Sequence, residues 1–428
     1  MSLLAHSSPG PDNRSIGQRA LGTVLHVGLS ALCSAQTFLV RVLAPKPRFV
    51  ASKEIRRALI IKLDELGDSM MAWPLIDDLK MHLPNAEITL LLNQSVIGLW
   101  DGVAGMRILG VDTRCRKLLR PLLLPIRHFR LVQERLRGEE FDICFVPRRD
   151  SDDAYATFLA YFTKSKQRIS FTEKSTPRKA ITNKSFDSLL TDALPTPPVQ
   201  HETLSNRSML AAIGLSAKLR QQPFPILPAV TAYAEEVLPG PSSSYVAICP
   251  TSGHSPLKQW GAERFADAAS RLIEAGFTVV LIGGPGDVEL GRIVQDECNG
   301  RCLNFVGETS LSQMAGLLTR CGAFLGNDAG PMHVASALGL ATVGVFGSSC
   351  WHQFGPWAPR HAVVVHEINC SPCHGHARNR CDICIYAQPV CLHHITVDEV
   401  LNALLAIIPG WDVESNGRVL PVINSSHS

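Results

Sequence analysis

At 428 residues, 46% hydrophobic and 18% charged, the chain is long enough for two core-bearing domains and too apolar to be disordered outside its ends. A net charge of +3 gives no electrostatic argument for a nucleic-acid partner. The 13 cysteines, an odd number spread over both halves, read as reduced thiols of a cytosolic protein and not as a disulfide scaffold.

One early segment could meet a membrane. Residues 20–40 carry no Lys, Arg, Asp or Glu, yet Thr23, His26, Ser30, Ser34, Thr37 and Arg41 recur every three or four positions as one polar stripe. That pattern predicts an amphipathic helix lying in the bilayer interface. A spanning anchor and a helix packed on the protein's own surface are the alternatives. The apolar region is too long for a signal peptide and has no evident cleavage site.

After the proline-bearing break at Pro45 and Pro47, strand and helix patterns alternate. Buried strands are expected over 58–63, 88–92, 107–111 and 141–146, with a helix over 69–82 and another near Val96. A Pro/Ser-rich interval, 221–244, reads as a linker around a short helix. Strands are then expected over 245–249, 278–282, 302–306, 323–325 and 341–346, with helices over 262–275 and 334–338. This alternation predicts parallel sheets in two successive α/β units with a cleft between two Rossmann-like domains.

Several strand ends carry residues suited to chemistry. Leu66-Gly67-Asp68 follows the first strand; Asp68 could take a proton from an acceptor hydroxyl or simply cap a helix, with Glu65 the fallback base. Thr251, Ser252 and Gly253 follow another strand. With Lys258 behind them they could bind a diphosphate, although the spacing is not a Walker-type loop. In Gly326-Asn327-Asp328-Ala329-Gly330-Pro331-Met332-His333, Gly330 permits close approach to a ligand and Pro331 suits the first helical position. The free amides of that helix start form a site for phosphate. Cys370-x-x-Cys373 and Cys381-x-x-Cys384 have the spacing of zinc ligands, with reduced thiols and a disulfide as the other readings. Arg114, Arg116, Lys117, Arg120, Arg127, Arg130, Arg135 and Arg137 interleave with leucines and hardly with aromatics, which suits an anionic glycolipid or leaflet better than single-stranded nucleic acid.

The octet through His333, followed by Ala337-Leu338-Gly339, resembles the donor-site motif of the lipopolysaccharide heptosyltransferases, glycosyltransferase family 9. Leu66-Gly67-Asp68, Lys258-Gln259-Trp260 before Glu263-Arg264-Phe265, Gly283-Gly284-Pro285-Gly286-Asp287 and, more weakly, His201-Glu202 are similar to further motifs of that family. The resemblance spans roughly 55–407. It implies a GT-B-like α/β fold with an acceptor-binding domain over 55–220 and a nucleotide-sugar donor domain over 243–410. Residues 1–50 would be a membrane-associated helix and linker, and 411–428 a tail. It further implies an inverting glycosyltransferase that needs no cofactor for catalysis and moves a heptose from an ADP-sugar to a lipopolysaccharide core or similar lipid-linked saccharide. The enzyme would be cytoplasmic, peripheral on the cytoplasmic face of the inner membrane. Asp68 would be the base and Lys258 would stabilise the departing diphosphate. Thr251, Ser252, Asp328, Ala329, Gly330 and His333 would line the donor, and Asp287, or alternatively Glu289, would meet its ribose. A sugar-nucleotide epimerase of the same architecture and a membrane-associated binding protein that has lost catalysis are the competing readings. The family also carries a cysteine-bearing loop opening Cys-Ser-Pro-Cys, and Cys384 departs from it.

Overall fold

The computed structural model describes residues 50–217, 222–253, 255–373, 384–386 and 388–408; the segment 20–40, Cys381 and the tail 411–428 lie outside these. In the first half the order is β1 (Arg57–Lys62), α1 (Leu66–Met71), α2 (Trp73–His82), β2 (Glu87–Asn93), β3 (Met106–Val111), α3 (Arg120–Arg135), β4 (Ile143–Val146), α4 (Ala156–Phe162), β5 (Gln167–Phe171), α5 (Pro177–Thr182), β6 (Asp192–Leu194) and α6 (Glu202–Ser208). The second half runs α7 (Pro228–Val237), β7 (Tyr245–Cys249), α8 (Ala262–Glu274), β8 (Thr278–Leu281), α9 (Val288–Glu297), β9 (Leu303–Asn304), α10 (Leu311–Thr319) and β10 (Ala323–Asn327). It continues with α11 (Gly330–Leu338), β11 (Ala341–Phe346), α12 (Trp351–Phe354), β12 (His361–Val365), α13 (Val390–His393) and α14 (Val397–Ile407).

Two six-stranded sheets result, ordered β3-β2-β1-β4-β5-β6 and β12-β11-β10-β7-β8-β9, and every strand pair is parallel. The winding is the same in both. The first strand of each unit lies near the centre, two strands follow on one side and three on the other. Parallel strands need crossover helices, which cover both sheet faces. That is why β7, β10 and β11 are buried along their whole length and read in sequence as unbroken apolar runs. The winding reverses between β1 and β4 and again between β7 and β10. Connections on either side of such a point leave in opposite directions and open a crevice at the C-terminal strand ends.

The halves share apolar packing. Trp73, Trp100 and Phe224 meet edge to face, with centroid separations of 5.0–6.1 Å. The Trp73 indole donates to the Gln222 carbonyl at 3.1 Å, and the Phe224 amide to the Ala337 carbonyl at 2.7 Å. The described part of 221–244 is therefore docked on its surroundings around one short helix, α7, which packs on α10. The helix expected over 69–82 is divided at Ala72, because Pro74 near the start of α2 lacks the amide that would continue the first helix. Near Val96 the chain makes a 3-10 helix, Ile97–Gly102. A buried ion pair joins α2 to α6: Arg207 meets both oxygens of Asp78 at 2.7 and 3.0 Å. Truncating either partner would strand a charge in the interior.

Candidate active site between the two sheets

On the first wall, β1 ends in charged residues. Lys62, only 1% exposed, donates to the Pro147 carbonyl at 2.8 Å and pairs with Asp64 at 3.0 Å. Arg148, just past the end of β4, pairs with Asp64 at 2.8 Å and reaches Asp68 at 3.5 Å. Burial works against the Asp64 carboxylate, but Arg148 and Lys62 hold it below the usual range. Asp68 lies inside the first turn of α1, so it is not the cap of that helix; Glu65 occupies the cap position and its side chain makes no capping bond. With 28% of its side chain exposed, against 14% for Asp64, Asp68 is the more accessible acid of this cluster.

The second wall is built at the ends of β7 and β10. Lys258 pairs with Asp328 at 2.6 Å, and His333 Nε2 lies 3.8 Å from the other oxygen of that carboxylate. Burial opposes the charge on Asp328, yet Lys258 and His333 hold its carboxyl far below the usual range. Asn327 fixes the surrounding loops: its amide donates to the Pro250 and Thr251 carbonyls at 2.9 and 3.3 Å, and its oxygen accepts from the Trp260 amide at 3.1 Å. Sequence reasoning gave Asn327 no role, since its partners are some seventy residues away. Thr251 and Ser252 are buried beside this pivot; Ser252 donates to the Ser255 carbonyl at 2.8 Å and Thr251 contacts the Cys249 thiol at 3.4 Å. Ala329 precedes α11 and supplies no capping side chain; Pro331 brings no amide, and the Met332 amide donates to the Ala329 carbonyl at 3.1 Å.

The walls meet helix to helix, α1 against α11. A Cβ on Gly67 would sit 2.6 Å from His333 Cδ2, and one on Gly330 would sit 2.9 Å from Leu66 Cδ2. At Gly330 the structure shows a close approach to Leu66 across the cleft. Beside it lies a shallow crevice lined by Met70, Met71, Trp73, Thr203, His333 and Trp357, among others. Sequence reasoning also left Arg148 and the chemistry of Glu202 aside. Glu202 is buried, accepts from Gln353 at 3.2 Å across the cleft, and has its carboxyl raised by that burial. Neighbouring His201 bonds to the Gly355 carbonyl at 2.9 Å and stacks near Trp357.

The remaining expected residues fall elsewhere. Asp287 accepts from the Gly284 amide at 3.1 Å in the turn after β8, and Glu289 pairs with Arg292 at 2.7 Å. Burial pushes up the Cys391 thiol on α13, and Cys370 and Cys384 lie close enough to add to that effect. Among the described residues no group of three or more His, Cys, Asp or Glu side chains is placed to hold a metal ion. The four-cysteine reading includes Cys381, which lies outside them.

Two parallel sheets with facing switch points define the GT-B-like class, and the solved structure of E. coli ADP-heptose lps heptosyltransferase II shares this fold. It superposes with a TM-score of 0.61 at 21% identity, covering 82% of this chain and 98% of that one. The sequence model described as glycosyltransferase family 9 (heptosyltransferase) matches residues 129–381, and the chain belongs to that family. Lipopolysaccharide heptosyltransferase 2 of Escherichia coli strain K12 is 37% identical over 127 residues, 29% of this chain. The match spans about a third of that relative's length, 36%. Lipooligosaccharide heptosyltransferase 2 of Haemophilus ducreyi is 24% identical over 337 residues, 73% of this chain and 89% of the relative.

Proposed function

We propose that this protein is an inverting glycosyltransferase that moves a heptose, or a related sugar, from an ADP-sugar to a lipopolysaccharide core or similar glycolipid. The observation that carries this reading is the opposition of an accessible carboxylate, Asp68, to the Lys258–Asp328–His333 cluster at the paired switch points. An acceptor hydroxyl attacks the anomeric carbon as Asp68 takes its proton and the bond to the diphosphate breaks. Lys258 and the α11 amides stabilise the departing charge, while Asp328 and His333 hold the sugar and phosphate. A single displacement inverts the anomeric centre. The domain of the first sheet would take the acceptor and that of the second the donor, with Thr251 and Ser252 at its diphosphate and Asp287 at its ribose. Mass spectrometry of the glycolipid from a deletion strain tests the reading: the expected result is a core lacking one sugar, and an unaltered glycolipid would overturn it.

Association with the cytoplasmic face of the inner membrane is part of the proposal. The segment 20–40 lies outside the described residues, and no described helix is long and apolar enough to cross a membrane. Leu118, Leu122, Ile126 and Phe129 support a surface-bound arrangement. They recur at helical spacing along the approach to and length of α3, are each about half exposed, and are flanked by Arg116, Lys117, Arg127 and Arg130. Deleting residues 1–48 should weaken binding to phosphatidylglycerol vesicles and make the remainder salt-sensitive, while transfer to a soluble acceptor persists. Serine at those four apolar positions should abolish the remainder. A truncated chain that aggregates and no longer binds donor would show instead that the first segment belongs to the fold.

The proposal includes a structural zinc on Cys370, Cys373, Cys381 and Cys384, supported by their two Cys-x-x-Cys pairs. Purified protein should then contain about one equivalent of zinc, and chelation should lower its melting temperature. Metal-free protein with unchanged melting would leave plain thiols.

A further inference from the structure

Arg149 stands apart from the other buried arginines. Arg207 is paired with Asp78, and Arg168 donates to the Leu189 and Ser165 carbonyls at 2.8 and 2.7 Å. Arg149 is only 5% exposed, yet its Nε and Nη1 have no hydrogen-bond partner, and it makes no ion pair among the described residues. A buried guanidinium left this way carries a desolvation penalty that the protein does not offset. Its place is informative. It follows β4 at the first switch point, directly after Arg148, which reaches Asp68. Burial pushes up the thiol of Cys350, past the end of β11 in the other half, and the charge of Arg149 is among the influences that oppose it. The adjacent Ser349 hydroxyl is likewise buried without a partner. Two buried donors without partners thus lie just past strand ends, Arg149 after β4 and Ser349 after β11.

We propose that Arg149 binds an anionic group of the acceptor, a carboxylate or a phosphate. The planar guanidinium fork matches either group through paired N–H···O bonds. The donor diphosphate is the other source of such oxygens. Arg149, however, belongs to the wall of Asp68, whereas Lys258 and the start of α11 serve the wall assigned to the donor. The acceptor assignment rests on the proposed function; the existence of the anion subsite does not.

The test uses the full chain, inorganic phosphate as probe and ADP to saturate the donor site. Millimolar phosphate should raise the melting temperature of the ADP-saturated protein. Arg149→Gln should remove that response and Arg149→Lys should retain part of it. Without ligand, Arg149→Gln should melt no lower than the parent, because no acid is left behind unpaired. A marked fall in melting would make Arg149 a structural residue and overturn the proposal, as would a phosphate response that survives Arg149→Gln. A response that ADP abolishes would give the subsite to the donor and overturn the acceptor assignment. In transfer assays Arg149→Gln should raise the acceptor KM about ten- to a hundredfold, the worth of a hydrogen-bonded charge, and leave the donor KM unchanged. Absence of transfer by the parent chain would count against the proposed function, and the phosphate response would still decide the subsite.

Discussion

Replacing Asp68 with asparagine should lower turnover by about a hundredfold or more, the usual worth of a general base, and leave donor affinity unchanged. The fold should tolerate the change. Arg148 keeps Asp64 at 2.8 Å when the weaker contact to Asp68 at 3.5 Å is lost, so no buried charge is stranded. Melting temperature should accordingly move little. Glu65→Gln is the control, since that exposed side chain makes no capping bond and its loss should be nearly silent. Steady-state kinetics at saturating acceptor provide the measurement. Near-normal turnover for Asp68→Asn would remove Asp68 from the reaction and direct attention to Glu202, a buried acid whose carboxyl is raised by burial and, further, by the charge of Asp68.

Strands such as β7, β10 and β11 were legible because parallel strands covered on both faces must be apolar throughout. β5 was not, since Gln167, Arg168 and Ser170 disguise it. Its burial depends on partners supplied by tertiary structure, such as the Val146 carbonyl that accepts from Ser170 at 2.8 Å. A similar limit applies to the site. Asp68, Lys258, Asp328 and His333 could be singled out because each adjoins a strand end or turn with glycine or proline. That Gly67 and Gly330 each make room for a side chain of the opposite half, His333 and Leu66, could not be read from local sequence. Arg148 and Arg149 follow an apolar strand, a signal that was available. What distinguishes them, one paired with two acids and the other with none, exists only after β1 and β4 lie side by side.

Lys258→Ala should produce two separable losses. Turnover should fall by about a hundred- to a thousandfold, because a positive charge aimed at the leaving diphosphate is removed. Stability should fall too, since the variant leaves the Asp328 carboxylate, 7% exposed, without its partner at 2.6 Å; breaking such a buried pair costs roughly 3–5 kcal/mol. The pH dependence gives the sign of this second effect. In the parent, the carboxyl of Asp328 is held below its unfolded value, so its stabilisation is present above about pH 4 and is lost only as pH falls further, through the folded value. Without Lys258, burial dominates and the folded value should rise. The buried charge then destabilises most near neutrality, and protonation relieves it on acidification. The gap in melting temperature between parent and variant should therefore be widest near pH 7 and narrow toward pH 4. Adding Asp328→Asn to Lys258→Ala should recover most of the lost melting temperature without restoring turnover. A double variant as unstable as Lys258→Ala alone would show that the stranded carboxylate is not the cause, and near-normal turnover in Lys258→Ala would remove Lys258 from the chemistry.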